Sequence, residues 1–411
     1  MGLASSLELT RQGADVICIE AEHFGGHQST QNWGFVRKQG RGLAEVPLML
    51  DAIRRWSALS DELGFDIQWT QGGNVAVFDT EAQERGYRRW LQSTDDLHVD
   101  SSFIRQDELA EIVHGWTREI RGAMFSPTDG HAEPAAVVEG YLHACREAGV
   151  RLVQNVEALS LITRGGTVVG AKSPEMTVLA SKTVVANGSQ ARMLLASIGL
   201  DFPQSFVAGT VALTTPVERF TDATVWGPGY AFRQRQDGRI VCSRGGGGVV
   251  RLTPDTIAQA PKFLGAFRRN RKRFAVRPSS RLISDLPLAF EGLPGLRRSS
   301  LPALRVRRSD PARAVRELQS TVKAARSARL EHAWAGLIDS TPDGIPVIDG
   351  NPGPEGLILA TGFSGHGYGL VPTVGAIVGQ LVTTGASQFD LTSFRLERFA
   401  RKDYVAPDAV L

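Results

Sequence analysis

Cysteine is scarce in this chain: Cys18, Cys145 and Cys242 are the only three among 411 residues, and they lie far apart without forming a CxxC pair. That spacing excludes a thiolate zinc site and a disulfide framework, and it suits a reducing compartment. No metal site is expected. An excess of either charge is also lacking, since 46 Lys plus Arg face 43 Asp plus Glu for a net charge of +3. A nucleic-acid binder needs a broad basic field, which this balance denies. Two local exceptions are the run 268–274 (RRNRKRF) and the arginine-rich stretch from Arg297 to Arg329; neither interleaves aromatics, and both read as solvated helix faces. No apolar run reaches the ~20 residues that span a bilayer. With no signal peptide before the first helical pattern, a cytoplasmic chain without a transmembrane segment is expected.

What is present is an ordinary globular composition, 42% hydrophobic, over a length that supports two domains with cores. The opening stretch MGLASSLELTRQGADVICIE reads as a helix from Leu3 to Gln12 closed by Gly13, then a doubly buried strand Val16–Ile19 ending at Glu20. In a dinucleotide-binding βαβ unit, an acidic residue at that strand end accepts hydrogen bonds from a ribose, and Glu20 is placed for it. Gly2 stands where the last glycine of a GxGxxG turn belongs. The unit's first strand and first glycines are not in the sequence, so a preceding segment on the order of 10 to 20 residues is expected to have been lost or left out.

Further along, 25–41 (GGHQSTQNWGFVRKQGR) is a loop rich in amides and hydroxyls, and 47–63 is an amphipathic helix. A turn at Asp129 and Gly130, Pro134 at a helix start and a strand from Val150 make another αβ unit. KTVVANGSQARMLL gives a strand, the Gly188 turn and a helix, and GLILATGFSGHGYGLVPTVGAIVGQLV gives a strand, a glycine-dense loop and an apolar helix. Between 206 and 330 short strands broken by Gly and Pro suggest antiparallel structure.

Taken in order, VICIE, STQNWGFVR, DGHAEPAAVV, VVANGSQARMLL, WAGLIDSTPDGIPVID and ATGFSGHGYGLVPTVGAIVGQL resemble the D-amino-acid oxidase superfamily of FAD enzymes over essentially the whole chain. The resemblance implies an α/β fold, with a Rossmann-like FAD-binding domain on a parallel sheet, discontinuous over 1–50, 125–205 and 331–390. A mostly antiparallel α+β substrate domain takes 51–124 and 206–330, and 391–411 is left as a C-terminal tail. It implies oxidation of the C–N bond of an amine or amino acid by hydride transfer to flavin, with oxygen or a redox partner taking the electrons.

For the cofactor, the resemblance puts Glu20 on the adenosine ribose and Gly2, Ser29 and Thr30 beside the pyrophosphate. Ordinary loop capping by Ser29 or Thr30 is the plain alternative. Asn187 and Gly188 stand where two small residues usually approach the dinucleotide, and Asn187 either crowds that site or hydrogen-bonds the turn. Gly362, Ser364, Gly365, His366, Gly367 and Tyr368 match the loop against the flavin ring. His366 reads as a positioned loop histidine rather than an acid or base.

An amino-acid substrate requires a cation for its carboxylate. The arginine that glycine-oxidase relatives carry is replaced here, in the run Gly336, Leu337, Ile338, Asp339; Arg37 matches the arginine that sarcosine-oxidase relatives use, and Gly369 stands where they place a lysine. Gly336 also takes the position of their flavin-linking cysteine, so the FAD is expected to be non-covalent. Two further readings are an amine dehydrogenase that does not recognise carboxylates and a remnant or scaffold that does not hold FAD. The chain as written is expected to bind FAD weakly and to aggregate, and a chain extended by the absent strand to bind it stably.

Overall fold

The computed structural model describes residues 1–245, 247–271, 274–279, 306 and 309–405, so most of the arginine-rich stretch and part of 268–274 lie outside the described residues. The chain opens with the helix Gly2–Arg11, and Gln12 and Gly13 close it through bonds to carbonyls of its last turn. Gly13 takes a φ of +89°, a conformation that costs a side-chain-bearing residue free energy. The strand Ile17–Ile19 follows and pairs in parallel with Arg151–Val153. A second group joins Thr183–Val185 in parallel to Leu357–Thr361, which pairs antiparallel with Val347–Asp349.

The parallel layer is therefore in two pieces, and among the described residues no strand pairs with their outward edges. Arg151 N donates to Val16 O and Glu20 N to Val153 O, so residues 16, 18 and 20 face the partner strand and the backbone groups of Ile17 and Ile19 point away. Thr183 N donates to Gly356 O, which by the same parity turns Val184 outward. Both outward edges line one cavity.

The larger unit is a ten-stranded mixed sheet of mostly antiparallel pairs, into which Asn74–Phe78, Gly122–Ser126 and Ser102–Ile104 enter alongside the strands between 205 and 278. Its longest ladder joins Ser205–Thr214 to Leu330–Ser340. The expected domain boundary at 330/331 falls at the start of a strand of this sheet, Leu330–Ser340. Of the C-terminal tail, residues 391–405 are described and pack on the fold: Phe394 is fully buried, and Arg398 Nε reaches Asp343 Oδ2 at 2.7 Å.

A core of Leu7, Trp56, Tyr141, Val374 and Ile377 unites the helices Gly2–Arg11, Val46–Leu63, Pro134–Glu147 and Gly367–Thr383. The first and last of these touch through Gly375, where an added Cβ would lie 3.1 Å from the Ala4 backbone. Gly375→Leu is expected to force them apart, at a cost of about 1–3 kcal/mol. A lowered urea midpoint and a lower flavin content would register it together, because the first-turn amides move with the helix.

Candidate functional site

One cavity of about 600 Å³ gathers walls from both units. One side carries Met1, Gly2 and Leu3, Glu20, and the turn Asn187–Gly188; another carries Gly365, Gly367 and Tyr368; Trp33, Phe35, Arg37, Arg41 and Trp226 come from the loop and the large sheet. Two helices, Gly2–Arg11 and Gly367–Thr383, start at this wall, and neither has a side-chain cap. The first amides of a helix have no intrahelical acceptor, so both ends present N–H groups and partial positive charge.

The loop bearing Arg37 is held from beneath by buried polar bonds. Phe35–Val36 pairs with Gly130–His131, and the Asp129 carboxylate accepts Lys38 N at 3.0 Å and Lys38 Nζ at 3.1 Å. Lys38 Nζ also meets Asp100 at 2.5 Å. Gln39 is tied to Met124 O at 2.9 Å, Ser126 Oγ at 3.0 Å and Asn74 Nδ2 at 2.5 Å. Gln39 O then accepts Arg37 Nη1 at 2.5 Å, which aims the guanidinium over the Trp226 ring, 5.1 Å from its centroid. Trp33 packs 5.1 Å from Trp226, and its carbonyl accepts Arg233 Nε. The result is a preset cation beside an aromatic wall.

Arg41 stands in the same loop, with its Nε on Arg37 O at 3.2 Å. Burial, reinforced by Arg37, pushes its guanidinium down to about 9. Next to it, His366 Nδ1 meets the buried Glu45 carboxylate at 3.0 and 3.2 Å. Burial and the Arg41 charge hold His366 below the usual imidazole range. Burial opposes ionisation of Glu45, but His366 and Arg41 outweigh it, so this carboxyl lies below its ordinary value. An acceptor-only carboxylate assigns the proton to Nδ1. Tyr368 OH is buried without a hydrogen-bond partner among the described residues, and burial drives its phenol well up.

A second network ties the cavity's walls together. Gln28 Nε2 donates to Asp339 Oδ1 and to Leu337 O, both at 2.9 Å, while its Oε1 accepts Ser189 N. Gln204 Nε2 bridges Gly188 O and Asp339 Oδ2. At Gly188 a Cβ would sit 2.4 Å from Gln28 Oε1, so the turn needs glycine. Desolvation, only partly offset by Gln28 and Gln204, raises Asp339 to about 6. The folded chain therefore holds this proton more tightly than the unfolded chain does. Its stabilising contribution is complete below the ordinary carboxylate value and is lost as pH rises through about 6. Relative to the parent, Asp339→Asn is expected to gain stability between pH 4.5 and 7. Urea unfolding at those two values checks it, and a constant difference would contradict it.

The comparisons with known proteins agree on one family. The model for FAD-dependent oxidoreductases matches residues 1–381. This chain belongs to that family. Sarcosine oxidase subunit beta of Rhodobacter capsulatus is 22% identical over 95% of this chain and 84% of its own length. N-methyl-L-tryptophan oxidase of Salmonella enteritidis is 24% identical, covering 98% and 97%. The solved L-amino acid deaminase of Proteus myxofaciens, in complex with anthranilate, superimposes with a TM-score of 0.88 at 17% identity, over 97% of this chain and 91% of that one. The fold of this FAD-dependent oxidoreductase is thus the α/β class expected.

Of the residues singled out in the sequence, Gly2, Glu20, Ser29, Arg37, Asn187, Gly188, Gly365, Gly367 and Tyr368 line the cavity. Four others do not. Thr30 Oγ1 bonds Gly25 O, within its own loop. Gly362 faces Thr341 and Phe202, where a Cβ would come within 2.9 Å. Ser364 Oγ accepts Thr341 N, and His366 turns to Glu45. These four shape the loops and do not face the cavity. Sequence reasoning missed Arg41, Gln28, Gln204, Glu45, Trp33 and Trp226. Arg41, four positions after Arg37 in one loop, was the most findable. Among the described residues there is no metal-binding cluster of His, Cys, Asp and Glu, and no helix is long and apolar enough to cross a membrane.

Proposed function

We infer that this chain oxidises the C–N bond of a carboxylate-bearing amine, a secondary amine or imino acid or a D-amino acid, with FAD held non-covalently. Bound FAD supplies a two-electron acceptor for the substrate's hydride. The observation that carries the reading is Arg37: it reaches the cavity over an aromatic wall, and no carboxylate lies within ion-pair distance among the described residues. The cavity's chemistry fits the cofactor. The amides of Gly2 and Leu3 suit a diphosphate, Glu20 a ribose diol, and the amides at Gly367 and Tyr368 a ring that gains negative charge on reduction. Gly336 offers no sulfur for a covalent link. Arg37 orients the carboxylate so that the carbon bearing the amine is presented, and the indoles of Trp33 and Trp226 exclude water. Whether oxygen or a protein partner takes the electrons is decided by assay with each acceptor. Steady-state rates on sarcosine, proline, D-amino acids and polyamines test the substrate class; polyamines outpacing every carboxylate substrate would overturn it.

The free edges at Ile17–Ile19 and Thr183–Val185 favour a second reading, a chain that keeps the fold and does not retain FAD. Each unsatisfied buried backbone group costs ~1–3 kcal/mol. Flavin absorbance per mole of freshly purified protein separates the two readings: near-stoichiometric flavin supports the enzyme, and colourless protein that stays so in excess FAD supports the scaffold.

A further inference from the structure

Among the described residues the buried cations are paired, with one exception. Lys38 meets Asp129, Arg233 meets Glu133 and Arg398 meets Asp343, all within 3.1 Å. Arg41 is 5% exposed, yet it has no carboxylate within 4.0 Å among the described residues, and the one hydrogen bond of its side chain uses Nε. Both of its terminal nitrogens therefore lack a protein acceptor. They are not walled off against apolar atoms, since they are absent from the buried unpartnered side-chain atoms. Arg41 lines the cavity beside Arg37, whose Nη1 alone is engaged. Glu45 and Asp129 attract the two guanidiniums only from a distance, each having its own close partner in His366 or Lys38.

Two adjacent, partly dehydrated guanidiniums repel each other, and a buried unpaired charge is unfavourable. With Glu45 ionised and His366 neutral, the cluster of Arg37, Arg41, Glu45 and His366 carries a net charge of +1. One monoanion balances it. The loop keeps both cations in place without a ligand, because the Gln39 and Asp129 bonds hold its backbone and Arg37 O holds Arg41 Nε. Within the loop only Glu45 offsets them, and it balances one charge of the two.

We propose that Arg41 is a second carboxylate-binding residue, closing with Arg37 on one substrate carboxylate and thereby selecting amino acids over simple amines. This rests on the reading of Arg37 given above and extends it. Two forks on one carboxylate satisfy its lone-pair directions more fully than one, and they reject a neutral isostere by leaving two cations unpaired.

The test is calorimetric titration of the full chain, supplied with FAD, with benzoate and with benzamide, its neutral isostere. Arg41→Met is expected to raise the benzoate Kd on the order of 10- to 100-fold without weakening benzamide, with Arg41→Lys recovering part of the loss. Arg37→Met weakening benzoate while Arg41→Met does not would overturn the role of Arg41 and leave the anchor standing. Neither variant mattering would overturn both. Equal losses for benzoate and benzamide would show a merely structural role and also overturn it. If Arg41→Met does not fold, Arg41→Gln against Arg41→Lys decides: the charged variant must bind benzoate more tightly.

Discussion

Replacing Arg37 with alanine is expected to lower kcat/KM for a carboxylate-bearing amine on the order of 100-fold, mostly through KM. A charge-assisted bond to a carboxylate in a partly dehydrated site exceeds a neutral one, and the variant leaves the substrate's charge facing Trp226 and Trp33 without its fork. The fold should not suffer, because Arg37 gives only one hydrogen bond to the protein, and the loop is pinned by Lys38 and Gln39 on either side of that bond. Arg37→Ala should therefore match the parent in melting temperature and flavin content. An amine lacking the carboxylate should be turned over by both proteins at similar rates. An unchanged KM for the carboxylate substrate would remove Arg37 as its anchor.

Asp129→Ala should be among the most destabilising substitutions in the chain, at about 3 kcal/mol. Its carboxylate is fully buried and accepts both the backbone and the side-chain nitrogen of Lys38, itself fully buried. Without it the ammonium keeps only Asp100 and Thr128 Oγ1. The backbone beneath Arg37 loses its staple as well, so KM for a carboxylate substrate should rise on the order of 10-fold even where the protein is folded. The double variant Lys38→Met with Asp129→Leu should recover part of the stability, because it removes the buried ammonium, which the partly exposed Asp100 compensates only in part, and leaves Asp100 to solvent. Urea unfolding of parent, single and double variants measures this. A double variant as unstable as Asp129→Ala would mean that the loss comes from packing and not from charge.

Local elements were readable because their chemistry is local. Gly13 closes the first helix, Pro134 opens another, and the apolar run after Asp15 forms a strand, each as its residue types dictate. The strand Leu330–Ser340 was harder, because what fixes it is its ladder with residues 205–214, more than a hundred positions away. The same limit hid the site's scaffolding. Asp339 draws its partners from Gln28 and Gln204, and Glu45 meets His366 across 321 positions, so no motif spacing announces either. His366 was placed with the flavin-facing loop by its motif; Gly365 and Gly367 on either side do line the cavity, but the ring of His366 turns to Glu45. Arg41 went unread for a different reason, since a loop arginine is ordinarily solvated and only burial without a carboxylate makes it informative.

The most direct measurement is an anaerobic spectral titration of the FAD-loaded chain with a secondary amino acid such as proline or sarcosine, set beside the same amine lacking its carboxylate. The expected result is bleaching of the flavin absorption band by the amino acid at low concentration, with the decarboxylated amine far less effective and the preference sharply reduced in Arg37→Ala. Flavin that is retained but not bleached by any amine, or bleached equally with and without the carboxylate, would contradict it.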